Sequence, residues 1–189
     1  NLYAGGWFGT AGGTAALYVA KWNGTNWSAL GPGMNDKVMA LAIDGSGNLY
    51  AGGYFTNAGG VSANRIARWD GTSWSALGSG MDDAVFALAF DGGGNLYATG
   101  FFMTAGGVSA AHVARWNGSS WSALGSGLVG VGYALAVDGG GNLIVGGDFT
   151  NAGGSAANNV ALWDGTTWSS LRSGVNGPVR ALVRSTAAI

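Results

Sequence analysis

Trp22, Trp69, Trp116 and Trp163 stand 47 residues apart, and Trp27, Trp74, Trp121 and Trp168 repeat the same interval. Asn1, Asn48, Asn95 and Asn142 do so as well, marking four units that begin near residues 1, 48, 95 and 142. A fixed period of this size means that one supersecondary unit is copied, and that each copy buries its faces against its neighbours. Glycine decides the type of unit. With 38 Gly in 189 residues and no Glu, helix interiors are disfavoured throughout. A hydrophobic fraction of 48% is too high for a disordered chain. Two Pro and no three-residue period exclude collagen. The reading is all-β.

One module shows how the strands fall. Val85-Phe-Ala-Leu-Ala-Phe90 is a short apolar run, the mark of a strand covered on both faces. Asp91-Gly-Gly-Gly-Asn95 supplies turn residues, and Leu96 to Phe102 reads as a second strand. Ala105-Gly-Gly opens a longer loop, Val113 to Trp116 is a third strand, and Asn117-Gly-Ser-Ser is a hairpin turn before a fourth strand, Trp121 to Leu124. Four short antiparallel strands in a unit of this length fit one propeller blade.

Leu49-Tyr-Ala-Gly-Gly53, Ile66-Ala-Arg-Trp-Asp-Gly71 and Trp74-Ser-Ala-Leu77 resemble the blades of kelch-type β-propellers, and more closely the glycine-rich propeller repeats of large secreted bacterial proteins. The likeness extends over the whole chain, four times. It departs from kelch in its Ala/Gly-rich loop between the second and third strands and in having no Pro-rich connector. The resemblance implies a propeller fold and an extracellular or cell-surface location, and says little about activity.

The order of strands predicts closure. The chain opens on a second strand and finishes after a first strand, Val179 to Arg184, so this last strand is expected to pair with the N-terminal blade and bring Asn1 close to Ala187. The expected architecture is a single domain over residues 1–189, a closed ring of four 47-residue, four-stranded blades. An open array, a dimeric eight-bladed ring and a section of a longer protein are the rivals. In the innermost strands Ala40 and Ala42 alternate with Met39, Leu41 and Ile43, which predicts a small face and a large face that mate between blades.

Little in the chain suggests catalysis. His112 is the only His, Cys is absent, and all nine acids are Asp. The Asp44, Asp91 and Asp138 turns each offer one carboxylate and an Asn amide, too few oxygens for calcium, and are read as tight hairpins. Gly125-Ser-Gly127-Leu-Val-Gly130 spells a dinucleotide fingerprint, but a strand follows it where a phosphate-binding helix is required. Asp82-Asp83 is read as a solvated connector. No metal, cofactor or catalytic residue is expected, and a net charge of −1 gives no general attraction to nucleic acid. No apolar run is long enough to insert into a membrane. Asn1 opens directly into repeat sequence without a start Met or signal peptide, as an excised segment would.

The eight periodic Trp are read as packing residues, since they never vary. Positions at which the repeats disagree point instead to a ligand face. One varying column holds Trp7, Tyr54, Phe101 and Asp148, another holds Tyr18, Arg65, His112 and Asn159, and a third runs through the connectors near Lys37. Candidate ligand contacts are therefore Trp7, Tyr18, Tyr54, Arg65, Phe101, His112 and Asp148. The expected function is a non-enzymatic structural or protein-interaction module that meets an unidentified protein. The alternative is a lectin-like propeller that takes a glycan through exposed aromatics.

Overall fold

The structure, a computed structural model, describes residues 1–185, and their regular elements are all β-strands. Four antiparallel sheets follow one another along the chain. The first holds Leu2–Gly5, Val19–Trp22 and Trp27–Ala29. Sheet two runs from an inner strand, Val38–Ile43, through Leu49–Gly53 and Ile66–Trp69 to an outer strand, Trp74–Ala76. Sheet three repeats this order with Val85–Phe90, Leu96–Gly100, Val113–Trp116 and Trp121–Ala123. Sheet four does so with Leu128–Val137, Leu143–Ala152, Val160–Trp163 and Trp168–Ser170. Each inner strand is contributed by the repeat before the one that supplies the rest of its sheet.

This offset leaves the first sheet without an inner strand. The expected ladder between the segment from Val179 to Arg184 and Leu2–Gly5 is not formed among the described residues. Leu2–Gly5 pairs with Val19–Trp22 alone, and residues 179–185 contain no strand. Ala187 and Ile189, which enter the closure expectation, lie outside the described residues. Val179 nevertheless occupies the place where an inner strand begins. Its N–H donates to the Gly147 carbonyl at 2.8 Å, and its side chain lies on the face of Gly146.

Adjacent sheets mate by size, as the alternation predicts, but through a different set of residues. A β-bulge at Met39 breaks the alternation, because Val38 pairs with Gly53 while Ala40 already pairs with Gly52. Val38 and Leu41 therefore share the face that covers Gly5 of the preceding sheet, and Met39 turns outward, half exposed. Val85 and Leu88 cover Gly52, and Val179 and Leu182 cover Gly146, in the same way. The remaining interface reverses the roles. There Thr99 stands in the glycine column and Gly132 stands in the valine column, and a Cβ on Gly132 would lie 2.0 Å from the Thr99 hydroxyl oxygen.

The Ala/Gly-rich loop is itself a small hairpin. Asn57–Ala58 pairs with Val61–Ser62 across Gly59 and Gly60, at φ 60° and 89°. Two consecutive positive φ values define the type I′ turn, which glycine adopts without the cost of a Cβ. The outer-strand Trp74 lies against Gly59, and its indole N–H reaches back 2.9 Å to the Leu30 carbonyl of the preceding sheet. Trp121 and Trp168 repeat this contact to Leu77 and Leu124. A second Trp from the neighbouring strand completes each pair, with centroids 5.3 to 5.6 Å apart. Trp74, Trp121 and Trp168 thus join small hairpin, sheet and neighbouring sheet, as packing residues do.

The aspartate turns are held by their own chain. The Asp44 carboxylate accepts from the backbone N–H groups of Ser46 and Asn48 and from the Asn48 amide, and Asp138 repeats the arrangement with Gly140 and Asn142. Asp82 is more than a solvated connector, because one of its oxygens accepts from the N–H groups of Met103 and Thr104, both at 2.9 Å. Donors aimed at a carboxylate favour its charged form. The N–H groups of Ser73 and Thr72 hold Asp70 far below the usual carboxylate range, and those of Thr167 and Thr166 do the same for Asp164. The Asn142 amide and N–H lower Asp138. A lowered folded-state pKa adds stability above the unfolded value near ~4, and that stability is lost as pH falls through the folded value. The melting temperature is therefore expected to be level from neutral pH down to about 5 and to fall below about 4. Calorimetry across that range checks this, and Asp138→Asn is expected to make the fall shallower.

Candidate functional site

The bulge that takes Met39 out of the interface recurs at Phe86 and Tyr133, each skipped between two paired neighbours of its inner strand. Bulges re-aim side chains. Met39, Phe86, Tyr133 and Arg180 occupy one column of the repeat, and together with Tyr54 they line a shallow open depression of about 380 Å³.

The rings in this depression touch in sequence. Tyr54 lies 6.0 Å from Phe86 between centroids, and Phe86 lies 5.7 Å from Phe101 in an edge-to-face contact and 5.8 Å from Tyr133. Aromatic pairs at these separations are favourable beyond the area they bury. A cation closes each end. Lys37 Nζ sits 4.9 Å from the centre of the Trp7 ring and 5.0 Å from that of Tyr54, and the Arg180 guanidinium lies 4.8 Å from Tyr133. Much of this apolar surface remains open to solvent: Trp7 is 80% exposed, Phe101 49% and Met39 50%.

Three of the sequence candidates therefore meet here: Trp7, Tyr54 and Phe101. Asp148 fills the fourth place of their column and is exposed. Tyr18, Arg65 and His112 are used differently. They hold φ values of 64°, 65° and 66°, the left-handed region that bulky residues rarely enter. Their N–H groups donate to Phe8, Phe55 and Phe102, and their carbonyls accept from Gly6, Gly53 and Gly100. The Arg65 guanidinium bonds the Tyr54 carbonyl, and His112 Nδ1 lies 3.1 Å from that of Gly100. Tyr18 packs against the core that joins the first two sheets. This column fastens the loop behind the rings.

Met39, Phe86, Tyr133 and Arg180 are absent from the sequence candidates because their column reads as the interior of a strand, whereas the candidates come from loops. Their signal was present nonetheless, as four unlike large side chains between a column that is mostly Val and one that is always Ala. Among the described residues no group of three or more His, Cys, Asp or Glu side chains is placed to hold a metal ion, and no helix is long and apolar enough to cross a membrane.

A β-propeller domain of unknown function, DUF5122, matches the chain at residues 45–69 and 141–162. No curated protein sequence matches it. Among solved structures, PorZ, a bacterial surface component of the type-IX secretion system of Porphyromonas gingivalis, is 19% identical with a TM-score of 0.45. That alignment covers 79% of this chain and 21% of PorZ. The extracellular domain of the putative one-component system BT4673 from B. thetaiotaomicron is 10% identical with a TM-score of 0.32, over 89% of this chain and 33% of that one. The chain thus spans about a fifth of the first and a third of the second. The repeated four-stranded sheets and the family match make this an all-β chain of β-propeller type, without singling out the kelch class.

Proposed function

We propose that the domain is a non-catalytic binding module, placed outside the cell or on its surface, whose ligand rests on the ring-lined depression. One observation carries the reading: three inner strands break their own ladders to turn Met39, Phe86 and Tyr133 into a single open surface with Tyr54. Contiguous exposed apolar surface on a rigid scaffold is the usual mark of an interaction site. The ring contents support a non-enzymatic role, because the depression offers aromatic faces and two cations rather than a tuned acid and base. The glycan alternative gains from Trp7 and Phe101, whose faces are open enough to take a sugar. Ring closure belongs to the same proposal, with an inner strand received by the free edge of Leu2–Gly5.

Paired glycan and peptide arrays test the binding role. The intact domain is expected to retain at least one class of probe, and Tyr54→Ser with Phe101→Ser to lose it. Retention by the double variant moves the ligand elsewhere, and blank arrays for the intact domain end the proposal.

A further inference from the structure

We infer that the depression takes an acidic glycan, with pyranose faces on Tyr54, Phe86 and Tyr133 and a sugar carboxylate at each of Lys37 and Arg180. The inference rests on the glycan alternative given above and names its ligand class. Ring faces account for only part of the site. Lys37 and Arg180 contact aromatic rings, and among the described residues no oxygen is bonded to their charged groups. A ring face attracts a cation without consuming its N–H donors, so the three donors of the ammonium and the five of the guanidinium stay available. A neutral sugar has no charge to offer them, whereas a carboxylate forms the stronger, charge-assisted bonds, bidentate at Arg.

The sparse charge of the chain selects the kind of anion. Eight Lys and Arg are set against nine Asp, and the site contributes two cations at the ends of a row of rings. Densely sulfated glycans and anionic membranes are held by basic patches, which a chain of net charge −1 does not supply. A uronate polymer carries its charge on a body that is otherwise flat and apolar on its C–H faces. That distribution matches rings in the middle and cations at the ends.

Calorimetric titration with oligogalacturonate, and with the same oligomer methyl-esterified, separates the parts of the claim. The acid is expected to bind about tenfold more tightly than the ester and to weaken with added salt. Lys37→Met with Arg180→Met is expected to remove that difference, leaving the ester unaffected. Phe86→Ser is expected to weaken both. Should Phe86→Ser fail to fold, the Lys37 and Arg180 changes still decide, since both side chains lie over rings at the rim. Equal binding of acid and ester, indifferent to the two cations, overturns the acidic ligand and leaves the glycan reading standing. If neither oligomer binds, the inference fails along with the glycan reading, while the peptide arm of the arrays continues to test the wider binding role.

Discussion

Trp121→Ala is expected to cost about 3–5 kcal/mol of stability, the range for removing a large buried aromatic. Its ring is 5% exposed and touches Gly106 of the small hairpin and Trp116 of its own sheet. Its indole N–H also donates at 3.0 Å to Leu77, which lies in the preceding sheet's connector. Truncation opens a cavity at the join of three structural parts and leaves a carbonyl without its donor. Trp121→Phe separates these effects. It retains most of the ring volume and is expected to cost about 1–3 kcal/mol, chiefly through the abandoned Leu77 carbonyl. Trp27 occupies the same column with no sheet before it and is only half-buried, so Trp27→Ala is expected to cost clearly less than Trp121→Ala. Urea unfolding of the three variants ranks them, and equal losses at Trp27 and Trp121 would remove the inter-sheet contact from the explanation.

Gly53→Ala and Gly100→Ala are expected to be strongly destabilising, by more than the ~1–3 kcal/mol usual for an overpacked core. A Cβ on Gly53 would lie 2.1 Å from the Lys37 carbonyl oxygen, and one on Gly100 would lie 2.1 Å from that of Ala84. Both obstacles are backbone of the inner strand's entry and cannot rotate away. Gly6 holds the same column in the first sheet, where no inner strand lies opposite among the described residues, and a Cβ there would lie nearest the Phe8 ring, at 3.4 Å. Gly6→Ala is therefore expected to be nearly neutral in the open arrangement. Thermal unfolding of the three variants reports directly on closure. A loss at Gly6 as large as that at Gly53 means that an inner strand covers the first sheet in solution.

The all-β class and the strand order were legible because their causes are local. Asp-Gly-x-Gly-Asn and Asn-Gly turns, short Val- and Ala-rich runs and the Trp period all act within a few residues of where they are read. The small hairpin at Ala58-Gly-Gly-Val61 reads as a loop in the sequence, since its strands are only two residues long. The bulge at Phe86 was invisible because it depends on the count of residues in the facing strand, so strict alternation assigned Met39 to the wrong face. The column of Tyr18, Arg65 and His112 carries a backbone role that the identity of its side chains does not display. Its constraint falls on backbone φ and on main-chain hydrogen bonds, which four different side chains satisfy, so structural necessity looked like free variation. Closure lay beyond local reading altogether, since it depends on the summed rotation of successive sheets.

The exchanged pair Thr99 and Gly132 has a consequence for the history of the gene. Tandem copies of one module invite unequal crossing-over, which shuffles, deletes and duplicates modules. A recombinant that set Thr99 against a valine would collide, and one that set a glycine such as Gly52 against Gly132 would leave a void. Thr99 and Gly132 both belong to the copy that begins near residue 95, so a copy moved whole carries its matched seam with it, and only an exchange point between the two residues would part them.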